Sequence, residues 1–126
     1  MRYLFLLANS AEDVAHWDRL TQEEMEHARA AELPQWEPIM RRLDELARPL
    51  SGLELALPST ARTVRVREGE AVVTDGPYTE TRELLGGYFL LDCESLDEAI
   101  ELAALIPVAA RGSIEIRPLV PSEESR

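Results

Sequence analysis

The run V-T-D-G-P-Y-T-E, residues 73 to 80, decides how this chain is divided. Asp tolerates left-handed backbone geometry and Gly adopts it at little steric cost, so Asp75 and Gly76 mark a turn between two strands. Pro77 changes what that turn can do. An Asp in a turn commonly accepts a hydrogen bond from the backbone N–H two residues on, and proline has no N–H. The Asp75 carboxylate is therefore available to the backbone of Tyr78 or Thr79, to an arginine, or to a ligand. A purely structural turn is the simpler reading of the same residues.

On the N-terminal side of the turn, Thr63 to Arg67 alternates, with Val64 and Val66 on one side and Thr63, Arg65 and Arg67 on the other. The expectation is that the valines pack under helices and the arginines face away. Glu68 and Gly69 turn the chain into a short strand at residues 71 to 74, and Leu53 to Leu57 reads as another strand. Beyond the turn, Leu84 to Asp92 is almost continuously apolar, which suits a central strand covered on both faces, with Gly86 and Gly87 permitting close packing or a bulge. Ser95 with Glu98 three positions later caps a helix whose stripe is Leu96, Ala99, Ile100, Ala103 and Ile106, and Pro107 stops it. Ser113 to Arg117 supplies a last strand.

Towards the N-terminus, residues 2 to 8 form a first strand, Asn9 and Ser10 break the pattern, and Val14, Trp17 and Leu20 recur at helical spacing. Thr21 with Glu24 is a capping-box signature. Pro34 suits the first turn of a further helix, whose stripe runs through Trp36, Ile39, Met40, Leu43, Leu46 and Leu50 and ends at Pro49 and Gly52. The elements predict an α+β fold of ferredoxin-like arrangement, an antiparallel sheet with helices on one face. The other face needs a cover, and self-association into a homodimer is the simplest one. Residues 1 to 120 read as a single domain and 121 to 126 as a frayed tail.

Composition narrows the partners. Thirteen basic residues against 24 acidic ones give a net charge of -11, which opposes binding to nucleic acid or to anionic lipid. Neither is expected as a partner. The single cysteine, Cys93, forms no intramolecular disulfide and, with no histidine or lysine beside it, reads as a buried thiol. The apolar run from Tyr3 to Ala8 is too short for a secretory signal core, and acidic residues follow it, so a cytoplasmic location is expected. No spacing of histidines and carboxylates demands a metal, and no cofactor is expected.

The stretch V-T-D-G-P-Y-T-E-T-R-E-L-L-G-G-Y resembles the signature of the DGPF-domain proteins, a branch of the YCII-related family. T-V-R at 63 to 65, D-E-A at 97 to 99, Pro107 and E-I-R-P at 115 to 118 extend the resemblance from about residue 50 to the end. Tyr78 stands where that family usually has phenylalanine, and Thr79 where it has alanine. The resemblance implies a ferredoxin-like fold pairing into a dimeric α+β barrel. It also implies a neighbourhood of extracytoplasmic-function sigma factors and a wider family containing lactone-processing enzymes with a proposed His-Asp pair. Asp75 carries over from the signature as a site residue; neither His16 nor His27 lies in a family motif.

Two functions follow as expectations, beside a third reading as a dimeric accessory protein with no ligand. In the first, the protein is a small-molecule enzyme of lyase or isomerase type, with Asp75 as acid or base, His27 as its catalytic partner, and Arg65, Tyr78 and Arg117 binding a small anionic metabolite. In the second, it is a non-catalytic ligand-binding or regulatory dimer linked to sigma-factor control. The plain readings beside these are a solvated His27, and arginines paired with Glu115, Glu80 or Glu83. Tyr88 reads as a core aromatic or a pocket wall.

Overall fold

The computed structural model describes residues 1–77 and 83–121, so the expectations placed on Tyr78, Thr79 and Glu80, and on the tail from 122 onward, lie outside the described residues. Strand β1 (Arg2–Ser10) buries Tyr3, Phe5 and Leu7, its odd-numbered row, against the helices. Helix α1 (Ala11–Asp18) follows at once, because the Ser10 side chain accepts a hydrogen bond from the Asp13 N–H at 3.1 Å. Helix α2 (Gln22–Leu46) begins with the expected capping box, in which Thr21 and Glu24 each accept from the other's backbone N–H.

α2 does not restart at Pro34; it runs unbroken through Pro34 and Pro38. Each proline removes one N–H from the helical ladder. Ala30 and Pro34, whose carbonyls lose those donors, are exposed, so water can satisfy them. Ile39 and Leu43 are buried one turn apart and join Leu91, Leu102 and Ile106 in the core, while Trp36 meets Phe89 edge-on with ring centroids 5.9 Å apart. Each such buried side chain contributes about 1.5–3 kcal/mol.

The remaining elements are β2 (Ser51–Glu54), β3 (Arg62–Arg67), β4 (Glu70–Asp75), β5 (Glu83–Asp92), α3 (Leu96–Ala104) and β6 (Ser113–Pro118). Four strands form an antiparallel sheet in the order β2-β5-β1-β6. β1 and β2, joined through α1 and α2, are separated by β5; β5 and β6, joined through α3, are separated by β1. Two interleaved crossovers of this kind make the ferredoxin-like α+β fold. β2 sits earlier in the chain than the apolar run suggests. Gly52 permits this, since a Cβ there would lie 2.1 Å from the Tyr88 carbonyl oxygen.

β3 and β4 form a separate two-stranded sheet between β2 and β5. Glu68 (φ 53°) and Gly69 (φ 80°) make its two-residue loop, the left-handed pair that matches hairpin twist. The expectation that Val64 and Val66 pack under helices fails: they are 60% and 63% exposed, and Thr63 is the buried residue of β3. β3 pairs with β4 and not with the sheet that the helices cover, so alternation gave two faces without a core to bury either.

Pairing of β1 with β5 shifts register between Leu7 and Ala8, where Gly87 faces Leu7 and Leu85 faces Ala8. Gly86 is the extra residue of a bulge. Among the described residues no helix is long and apolar enough to cross a membrane.

Candidate functional site

Asn9 continues the buried row of β1 past Leu7, at the end of the strand where the bulge lies opposite. Its amide occupies the space a side chain at 86 would need: a Cβ on Gly86 would stand 2.2 Å from Asn9 Nδ2. On the other side of β1, Gly112 lets β6 approach so closely that a Cβ there would lie 2.1 Å from the Ala8 carbonyl oxygen. Arg111, immediately before it, is thereby delivered beside the same strand end.

Arg111 joins three elements. Its Nη2 donates to Glu32 Oε1 on α2, its Nε lies 4.0 Å from Asp13 Oδ2 on α1, and its guanidinium carbon sits 5.8 Å from the Trp17 ring centroid. The stacking contributes about 0.5–1 kcal/mol. The Arg111–Glu32 pair is only partly shielded, with side chains 30% and 27% exposed, so its Coulombic part is screened. Two buried atoms here, Asn9 Oδ1 and Arg111 Nε, have no hydrogen-bond partner among the described residues. Asp13 is too distant from Nε to serve as one.

These groups line a cavity of about 650 Å³ between the end of β1, the two N-terminal helices and the β2 edge. Trp17, Trp36, Phe89 and Val108 supply apolar wall, and Arg29 and Glu54, paired at 2.6 Å, line it on the β2 side. Three carboxylates, Asp13, Glu32 and Glu54, stand against two guanidiniums. The arrangement sets these charged groups around an aromatic and aliphatic wall in a hollow of ordinary ligand-site size.

The residues singled out from the sequence lie elsewhere. Asp75 ends β4 opposite Arg62, whose Nε is 3.1 Å from Asp75 Oδ1, and its side chain is 89% exposed. Gly76 (φ 93°) donates its N–H to the Ala61 carbonyl at 2.9 Å and accepts from Thr63 Oγ1 at 2.8 Å, so the D-G-P turn prolongs the hairpin. His27 is exposed on α2, and no hydrogen bond or ion pair joins it to Asp75. Arg65 is half-buried on the Thr63 side of β3. Arg117 is exposed and paired with Glu115, on the sheet face away from the helices. None of Asp75, His27, Arg65 and Arg117 lines the cavity; Tyr88 does. Cys93 is buried, and burial followed by the Glu98 charge pushes its thiol up.

Asn9, Asp13, Glu32 and Arg111 were not picked out by sequence reading. Asn9 and Ser10 registered only as a break in pattern, although a polar residue ending a buried row, with a glycine pair elsewhere to accommodate it, was a usable signal. Glu32 and Arg111 are 79 positions apart, and no spacing rule joins them.

A YCII-related domain matches residues 1–123 of the chain. An uncharacterised protein of Rhizobium meliloti (strain 1021) is 48% identical over 66 residues, an alignment covering 50% of this chain and 53% of the relative. The chain thus spans about half the length of that curated relative.

Proposed function

The chain belongs to the YCII-related family, and we propose that it binds a small neutral molecule in the cleft where β1 meets α1, α2 and Arg111. The observation that carries this reading is the cavity of about 650 Å³ itself, whose apolar wall of Trp17, Trp36, Phe89 and Val108 is bordered by Asn9 and Arg111. The carboxylates around the cleft disfavour the anionic metabolite expected from Arg65 and Arg117, since neither arginine lines it. The acid–base role expected for Asp75 gains no support from an exposed carboxylate already paired with Arg62. Ligand binding without turnover is therefore the favoured function.

Titration of tryptophan emission tests it, because Trp17 and Trp36 both line the cleft. Benzamide should perturb emission and bind at least tenfold more tightly than benzoate. Equal or tighter binding of benzoate would sink the neutral-ligand reading.

The working unit is a homodimer. Leu4 and Leu6 of β1, facing Leu90 and Tyr88 of β5, make an apolar patch on the sheet face that the helices leave uncovered. Light scattering should give twice the chain mass, falling to one chain in Leu6→Glu; a wild-type monomer at micromolar concentration would refute the dimer.

A further inference from the structure

Both buried residues of α2, Ile39 and Leu43, lie beyond Pro38. The first half of the helix, residues 22 to 33, buries none of its side chains, and only Met25 and Glu32 are half-buried. Between the halves the backbone ladder lacks two donors in succession, at Pro34 and Pro38, and such gaps are where a helix bends. The first half nevertheless walls the cleft: Met25, Ala28 and Leu33 line it from α2, and residues 53 to 57 line it from the β2 side. Leu33 keeps 68% of its surface open. We propose that residues 22 to 33 form a lid over the cleft, hinged at Pro34 and Pro38 and latched to β2 by Arg29 and Glu54.

Among the described residues two ion pairs tie this half to other elements. Glu32 meets Arg111 two positions from Pro34, close to the pivot, where a bend displaces it least. Arg29 Nη1 reaches Glu54 Oε2 at 2.6 Å farther from the pivot, with side chains 56% and 61% exposed. An exposed pair holds weakly and is screened by salt, so the latch releases without any core side chain leaving its place. At the other end, residues 19 to 21 lie outside both helices and give the lid its second joint. The lid rests on the cleft reading above for its ligand and supplies the route by which that ligand enters.

Quenching of Trp17 and Trp36 by acrylamide reads the lid without any ligand, since both are half-buried in the cleft wall and salt has no direct effect on a neutral quencher. Glu54→Ala should raise the quenching constant by about 1.5- to 2-fold, and about 0.5 M NaCl should do the same to the wild type while adding nothing to the variant. Pro34→Ala combined with Pro38→Ala restores both ladder donors and should lower the constant below the wild-type value. Neither proline lines the cleft. In stopped-flow emission the double variant should therefore slow benzamide association and dissociation together, by about threefold or more, and leave the affinity within about twofold. Quenching that ignores salt, Glu54→Ala and the double variant alike would overturn the lid. Quenching that responds while the benzamide rates do not would overturn the entry route. Failure of benzamide to bind would overturn the cleft reading, and quenching would then decide the lid alone.

Discussion

The β3–β4 hairpin and the cleft each bring a carboxylate to a guanidinium, and the two pairs differ in what surrounds them. In the hairpin, Arg62 and Asp75 meet with side chains 56% and 89% exposed, and water can satisfy whatever the pair leaves over. In the cleft, Arg111 and Glu32 are 30% and 27% exposed, and neighbouring donor and acceptor atoms are left unsatisfied. The same kind of pair lies open to solvent in one place and lines the proposed binding cleft in the other. The difference lies in which strands approach closely enough to exclude water.

The most severe way to break this contrast is Gly112→Val. Its side chain would collide with the Ala8 carbonyl oxygen, a backbone atom that cannot move aside cheaply, and remove the approach that places Arg111. We expect a loss of about 3 kcal/mol or more in urea unfolding, whereas Gly69→Ala in the hairpin loop, where space is open and only the φ of 80° resists, should cost about 1 kcal/mol. Equal costs would erase the distinction between the two regions. Arg111→Met comes next. It keeps much of the packing but strands Glu32 and Asp13, and should cost about 1–2 kcal/mol and lower benzamide affinity by about tenfold.

Asp75→Asn should change stability by less than about 0.5 kcal/mol and leave benzamide binding unaltered, because the pair it breaks is exposed. A tenfold loss of binding there would reverse the comparison. The smallest effect belongs to Glu24, exposed like Asp75 but held by the Thr21 backbone N–H at 3.0 Å, which keeps its carboxyl below the usual glutamate value. A depressed folded pKa means its contribution is complete above the unfolded value of 4.5 and is lost as pH falls through the lower folded one. An NMR titration of the Glu24 carboxyl carbon should therefore show a midpoint below 4.5, moving only part of the way back in Thr21→Ala, which loses the side-chain hydroxyl but keeps the backbone N–H.

The fold was legible wherever local chemistry and burial agree. Thr21 with Glu24, and Ser95 with Glu98, announce helix starts because their hydrogen bonds are short-range. Thr63 to Arg67 announces a strand, but its burial depends on whether helices lie over it, which no local pattern records. Pro34 misled for a related reason: it lies inside α2, and Ala30, whose carbonyl it leaves without a donor, is exposed, which no local pattern records. The cleft was the least legible part. Arg111 reaches Glu32 across 79 positions of chain, and only the packing of β6 on β1 through Gly112 brings them together.

The bulge at Gly86 gives β5 two parities. From Gly87 onward its odd-numbered residues lie opposite the odd, helix-facing residues of β1, Leu91 with Tyr3, Phe89 with Phe5 and Gly87 with Leu7; before it, the even-numbered Leu84 takes that place opposite Asn9. Were Gly86 itself paired, it would stand opposite Ala8, and Leu85 would then stand opposite Asn9. The single unpaired glycine works as a phase shifter that decides which of two adjacent leucines stands opposite Asn9.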